Sequence, residues 1–236
     1  MGFEDRYNQS DQGWELQDVM AEGGMSVIDC HVHTYFSGDS STTLDQLITE
    51  FQSSGLTHFC VTDHHSIAAY PSLREVFGPR VICGQELRTT EGEVIGLFLT
   101  QKISPGLNLA NASKAIRDQG GIVYVCHPLD QRRFSVGSNN LREALENGII
   151  DAIELTNSKS LRLYSLVAEL ASEYAIPLLG GSDAHVAAAL GSSGAVMPWF
   201  HSAADFLVAA KSATPFGHYC DPKKSWPIDV VPSISD

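Results

Sequence analysis

From residue 25 onward, short apolar runs alternate with stretches of helical periodicity, and few folds accommodate that alternation. "MSVIDCHVH" (25–33) reads as a strand, and "TTLDQLITEFQSSG" (42–55) sets Leu44, Leu47, Ile48 and Phe51 at helical spacing before Gly55. The pattern continues with a strand at 57–65, a short Pro-interrupted helix at 66–78, and a hairpin over 80–100 around "TEGE". A helix at 109–121 and the strand "IVYVCHP" follow, then the helix "NNLREALENG" and the strand "IIDAIELTN". The helix "SLRLYSLVAELASEYA", the strand "IPLLGGSDAH" and the helix "SAADFLVAAKSA" complete the series. Repeated strand–helix units predict a parallel sheet with right-handed crossovers, and about seven of them suit a closed barrel better than an open sheet. A chain of 236 residues with 43% hydrophobic content can bury the core of one such α/β barrel. The expected organisation is a polar leader over 1–24, one barrel domain over 25–212 and an irregular, Pro-rich tail over 213–236.

The chemically active side chains cluster at the carboxyl ends of these strands. His31 and His33 close the first, and their i, i+2 spacing projects both imidazoles to one face. Asp63, His64 and His65 close the second, and Glu86 lies on the third. His127, then Glu154 and Asn157, then Asp183 and His185 close those that follow. The amino ends are plain: Met25, Thr57, Arg80, Ile122, Ile150 and Pro177. Parallel barrels build their active sites at the carboxyl ends, and imidazoles mixed with carboxylates suit Zn, Mn or Fe. Singly, each residue has a plainer reading: a hydrogen-bonded strand-end His, Asp183 as a helix cap, Glu86 on a hairpin surface. All of these would have to hold together to dismiss a polynuclear metal site. His58, His201 and His218 fit no strand end.

Composition narrows the classes further. The formal charge of −13, from 15 basic and 28 acidic residues, argues against a broad Lys/Arg nucleic-acid surface. No run approaches the ~18 apolar residues of a membrane span, and the N-terminus lacks the basic and apolar parts of a signal peptide, so a cytoplasmic protein is expected. The five cysteines form no CxxC pair and read as reduced, buried thiols. Cys30 and Cys126 each precede a candidate ligand histidine and are expected to face away from it, in packing. Nothing in the pattern sets an oligomeric state.

The segments "DCHVHTYFSGDS", "VTDHHSI", "GQELRTTEGEVIGLFL", "VCHPLDQRR", "IELTN" and "GGSDAH" together resemble the PHP (polymerase and histidinol phosphatase) family over about residues 25–212. The resemblance implies a distorted (β/α)7 TIM-like barrel and two to three divalent metal ions (Zn, Mn or Fe). His31, His33, Glu86 and Asp183 would hold the first metal, Glu86 with His127 the second, and Asp39, His64 and His185 the third. Many relatives place His or Cys where this chain has Asn157; a carboxamide is the weaker donor, so the second metal is expected to be the most labile. The implied activity is hydrolysis of a small phosphorylated substrate, a phosphomonoester or nucleotide, by a water whose pKa the metals lower. Asp63 would orient a ligand. His65, where many relatives have Asp, is a candidate leaving-group acid. Arg133 is the preferred phosphate clamp ahead of Arg132 and Lys159. The alternatives are an amidohydrolase-type C–N hydrolase and a non-catalytic, metal-bound structural or regulatory domain.

Overall fold

The computed structural model describes residues 24–160 and 165–226. The expected leader, residues 161–164 of one expected helix, and the tail beyond 226 with Pro227 and Pro232 lie outside the described residues. Among the described residues, nine strands form one sheet: β1 (Met25–Val32), β2 (His58–Val61), β3 (Val81–Arg88), β4 (Glu93–Leu97), β5 (Ile122–Val125), β6 (Ala152–Asn157), β7 (Leu178–Gly181), β8 (Ser193–Pro198) and β9 (Thr214–Gly217). The order is β7-β6-β5-β4-β3-β2-β1-β8-β9. Six α-helices among the described residues pack around it: α1 (Leu44–Ser53), α2 (Tyr70–Phe77), α3 (Leu109–Arg117), α4 (Gly137–Glu146), α5 (Ser165–Glu173) and α6 (Ala203–Ala210). No helix among the described residues is long and apolar enough to cross a membrane.

Side-chain alternation divides the sheet into an inner and an outer layer. Ile28, Cys60, Ile82, Ile95, Tyr124 and Ala152 pack in one interior cluster, whose other end is stoppered by Phe200 and by Phe206, Ala209 and Ala210 of α6. Their strand neighbours Val27, Phe59 and Val81 meet Leu47 and Phe51 of α1 and Leu73 and Phe77 of α2. Val94, Val123 and Ile153 meet α3, α4 and α5. Strands buried on both faces read as near-continuous apolar runs, which is why these segments are legible in the sequence. The α1 start is equally local: Thr43 accepts from the Gln46 N–H while the Gln46 side chain accepts from the Thr43 N–H, a capping box.

The parallel pattern has three departures. β4 runs antiparallel to both β3 and β5, as the expected hairpin requires. β8 pairs antiparallel with the first half of β1, from Met25 to Ile28. β9 adds Thr214–Gly217 at the edge, where the sequence predicts irregular chain. Pro215 is admissible there because an edge strand can spare an N–H.

Closure divides β1 between two partners. Beyond Ile28 it leaves β8 and meets the end of β7, with Asp183 N–H donating to the His31 carbonyl (2.8 Å) and His33 N–H to the Ala184 carbonyl (3.0 Å). The register with β2 shifts between Asp29 and Val32, a bulge that turns the strand end toward the mouth. Three backbones crowd here: a Cβ on Gly194 would lie 2.3 Å from the Ile28 carbonyl oxygen, and one on Gly181 would lie 2.3 Å from His31 Cβ. Gly194→Ala should therefore destabilise by about 2 kcal/mol, a Tm loss of about 4–8 °C for a domain of this size. An unchanged thermal melt would refute this account of closure.

Candidate metal centre

β1, β2, β3, β5, β6 and β7 all point their carboxyl ends to one mouth, so residues far apart in sequence meet there. Glu86 lies at the centre. His31 Nε2 and His33 Nε2 approach its Oε2 at 3.2 and 3.1 Å, His64 Nδ1 at 3.3 Å, and His127 Nε2 approaches Oε1 at 3.1 Å. Asp183 Oδ1 lies 3.7 Å from His31 Nε2, 3.4 Å from His33 Nε2 and 3.3 Å from His185 Nδ1. Asp39, from the loop after β1, approaches His185 Nε2 at 3.1 Å and His64 Nε2 at 3.7 Å. Donor atoms close enough to share an ion fall into overlapping groups, among them His31–His33–Glu86 and His33–His64–His185.

The hydrogen bonds behind these rings decide what the front faces carry. His31 Nδ1 meets Glu154 Oε1 at 3.2 Å, an oxygen that already accepts from Tyr124 OH. Glu154 Oε2 accepts from the His127 N–H and from Asn157 Nδ2. Glu154 is acceptor-only, so His31 Nδ1 carries the hydrogen and Nε2 is left with its lone pair. His33 Nδ1 meets Ser37 Oγ at 2.9 Å, and that hydroxyl donates to Asp63 Oδ1 at 2.6 Å. His33 Nδ1 is therefore the donor, and its Nε2 too presents a lone pair. The two Nε2 atoms face each other at 2.9 Å, beside Glu86 Oε2. Three converging lone pairs need protons or a cation between them, and this donor set fits a divalent ion.

Charge balance without an ion follows the same lines. Burial pulls His31 down, but Asp183, Glu86 and Glu154 outweigh it and hold the ring well above its ordinary pKa. Burial, with His185 and His64, holds His33 well below. Burial raises Glu86, yet His64, His31 and His127 keep it well below the usual carboxylate range. Asp183 is likewise held low against burial by Lys159, His31 and His185. Lys159 Nζ lies 3.2 Å from Asp183 Oδ1, and Arg133 donates to Asp183 Oδ2 at 2.7 Å.

The remaining expected residues lie close by. Asp63 accepts from Thr34 N–H, Thr34 Oγ1 and Ser37 Oγ, and burial pushes its carboxyl up to about 6. It acts on His33 only through Ser37. Asn157 donates to Glu154 and accepts the Lys159 N–H at 3.0 Å, while sharing a cavity with His127. His65 donates its backbone N–H to the Glu86 carbonyl. Burial, then His64, holds its imidazole below the ordinary value, which favours the neutral ring at pH 7. Arg132 pairs with Asp130 and donates to the Lys159 carbonyl. His65, His127 and Asp183 all have positive φ (52°, 30° and 53°). Side-chain-bearing residues adopt that conformation only where the surroundings impose it, and such strain gathers at functional sites.

Two participants, Ser37 and Glu93, were not expected from sequence, and two others, Lys159 and Cys126, take places different from those expected. Ser37 links His33 to Asp63 and also accepts the His64 N–H. Glu93 groups with Glu86 and His127 because antiparallel β4 begins, rather than ends, at the mouth. Lys159 sits deeper than the clamp role foresaw, against both Asp183 and His185. Cys126, expected to pack away from the ligands, instead donates its Sγ–H to Glu86 Oε1 at 3.4 Å. Tyr124 and Cys126 lie in the interior cluster and Val125 in the outer one, so the alternation continues through Cys126 and turns its thiol inward, toward Glu86.

Residues 29–207 match the model of the PHP domain. The chain belongs to the PHP family. An uncharacterized protein of Methanocaldococcus jannaschii is 34% identical over 143 residues, covering 55% of this chain and 81% of that protein. A two-domain protein of Bacteroides vulgatus containing a predicted PHP-like metal-dependent phosphoesterase superposes with a TM-score of 0.65 at 14% identity, covering 82% of this chain and 65% of that one. Endonuclease Q, solved with a 27-mer duplex bearing an abasic lesion at its active site, superposes with a TM-score of 0.62 at 16% identity, covering 79% and 56%. At these identities the two structures show the fold. Family and neighbours together support a metal-dependent hydrolase.

Endonuclease Q also corrects the charge argument. An enzyme on this fold holds a DNA duplex, so net charge does not exclude nucleic acid here. The figure of −13 is a sum over the whole chain, whereas a phosphodiester meets the local field of one mouth, where bound cations are the largest charges.

Because Ser37 orients His33, Ser37→Ala should weaken metal binding by about tenfold with little change in the thermal melt of chelated protein. Competition with a chromogenic chelator measures this. Unaltered affinity would remove Ser37 from the site.

Proposed function

We propose that this PHP protein is a phosphoesterase that hydrolyses a small phosphomonoester or nucleotide at a trinuclear metal centre. His31, His33, Glu86 and Asp183 hold the first ion, Glu86 and His127 the second, and Asp39, His64 and His185 the third, with Asn157 beside the second. The metals supply, when bound, a hydroxide nucleophile at neutral pH and positive charge for the phosphate oxygens. The supporting observation is the convergence of four imidazoles on Glu86 with two cations, Arg133 and Lys159, alongside on Asp183.

The chain's own residues do the rest. Glu154 and the Ser37–Asp63 pair orient His31 and His33. Arg133, with a side chain 28% exposed, offers its guanidinium to an anionic oxygen at the mouth. Lys159 adds a second positive charge within reach of the same oxygens. Two cations at the mouth favour a phosphate ester over an amide, which carries no charge for them to meet.

The test is a panel of 4-nitrophenyl phosphate, bis(4-nitrophenyl) phosphate, nucleotides and amides, run on chelated protein reloaded with Mn or Zn. Amide cleavage with no turnover of any phosphate ester would overturn the proposal. Asp183→Asn and His31→Ala should each abolish ester hydrolysis while leaving circular dichroism unchanged, and near-normal turnover at saturating metal would refute the ligand assignment. Arg133→Ala should lower kcat/KM by about ten- to hundredfold, chiefly through KM, as expected for one lost charge-assisted contact. Unchanged kinetics would return Arg133 to the surface.

A further inference from the structure

The segment after β9 crosses the mouth of the metal centre and brings a cation with it. His218 N–H donates to the Ser192 carbonyl at 2.9 Å as the chain leaves the sheet edge. Cys220 N–H donates to the Ser158 carbonyl at 3.0 Å, and Ser158 Oγ reaches the Cys220 carbonyl at 3.3 Å. These bonds pin the segment against the loop that carries Lys159. Lys224 then donates its ammonium to the backbone carbonyl of Asp39, in the loop after β1. The path runs from the β6 side of the mouth to the β1 side, and it lies beyond the residues 29–207 matched by the family.

Lys224 is exposed and, among the described residues, has no carboxylate partner. Its tie to Asp39 is to the neutral backbone carbonyl, while the Asp39 carboxylate itself turns to His185 and His64. It acts within reach of the site: burial lowers Lys159, and the charges of Arg133 and Lys224 add to that effect against Asp183. Three cations from three segments, Arg133 after β5, Lys159 after β6 and Lys224 after β9, thus border one opening. The first two are paired with Asp183 beside the Glu86 centre. The third stands on the Asp39 side of the same mouth, tied to a backbone carbonyl and, among the described residues, in no ion pair with a carboxylate.

We propose that Lys224 forms a second anion subsite, which selects phosphate esters carrying a further anionic group, phosphate or carboxylate, away from the reacting phosphorus. This rests on the phosphoesterase reading for the position of the reacting group, and it narrows that reading to substrates with two separated anionic groups.

Three non-hydrolysable probes test it: butylphosphonate, 4-phosphonobutyrate and butane-1,4-diphosphonate, titrated into metal-loaded full-length protein by calorimetry. The native protein should bind the two bifunctional probes about tenfold more tightly than butylphosphonate, as expected for one additional charge-assisted contact. Lys224→Ala should erase that preference while changing butylphosphonate affinity less than twofold, and Lys224→Arg should retain it. A thermal melt of each variant checks that the segment still docks. Equal affinity of the native protein for all three probes would overturn the subsite. So would a preference that survives in Lys224→Ala, or an equal loss for all three probes, which would mark Lys224 as a structural tie. The carboxylate and phosphonate arms separate the two kinds of second group. Failure of the parent reading looks different: Lys224-dependent selection among the probes with no ester hydrolysed leaves the subsite standing and removes the phosphoesterase. Ester hydrolysis without selection does the reverse.

Discussion

The mouth of this barrel depends on the Glu86 carboxylate having no permanent partner. Five carboxylates are buried at 2% exposure or less: Asp29, Asp63, Glu86, Glu154 and Asp183. A buried charge is costly unless it is matched. Asp29 accepts backbone N–H groups from His31, Ser182 and Gly191. Asp63 has Thr34 and Ser37, Glu154 has Tyr124, Asn157 and the His127 N–H, and Asp183 has Arg133 and Lys159. Glu86 alone meets only imidazoles and a thiol, groups whose charge is conditional. Protons shared with the imidazoles or a divalent cation complete it, the same choice that the facing Nε2 atoms of His31 and His33 present.

The support around Glu86 is layered accordingly. The residues that orient His31 and His33, namely Glu154, Ser37 and Asp63, are themselves buried and hydrogen-bonded, so these two rings cannot turn away from the centre without breaking a second bond. Closure of the sheet has the same effect on the backbone. The β1 bulge and the β7 end fasten His31 and Asp183 to each other through a main-chain hydrogen bond. The positive φ of Asp183 and His127 is then a local cost offset by the surrounding packing. Strain of this kind holds a ligand where relaxed chain would not.

Charge offers the clearest contrast between a whole-chain property and a local one. A net −13 describes the protein at long range, where salt screens it within about 10 Å. At the mouth, Asp183 is paired with the Arg133 guanidinium and the Lys159 ammonium, while Glu86 meets imidazoles and a thiol. A phosphate oxygen there meets cations, whatever the rest of the surface carries.

Several features were determined by the sequence alone. Period-two and period-3.6 patterning placed the strands and helices of the barrel, because strands buried on both faces must be apolar throughout. The single-sided placement of His31, His33, Glu86, His127, Asp183 and His185 marked the mouth, because parallel strands deliver their carboxyl ends to one side. Other features were decided only by tertiary structure, for reasons of direction and distance that no local pattern carries. Glu93 reaches the mouth because β4 is reversed. Cys126 meets Glu86 because the inward alternation set by Tyr124 continues through it to the level of the mouth. Strand β8 pairs antiparallel with the first half of β1, and β9 adds to β8 at the edge, pairings that no local pattern announces. Ser37 and Lys224 look like ordinary loop residues in the sequence, and each acquires its role only from what the folded chain brings beside it.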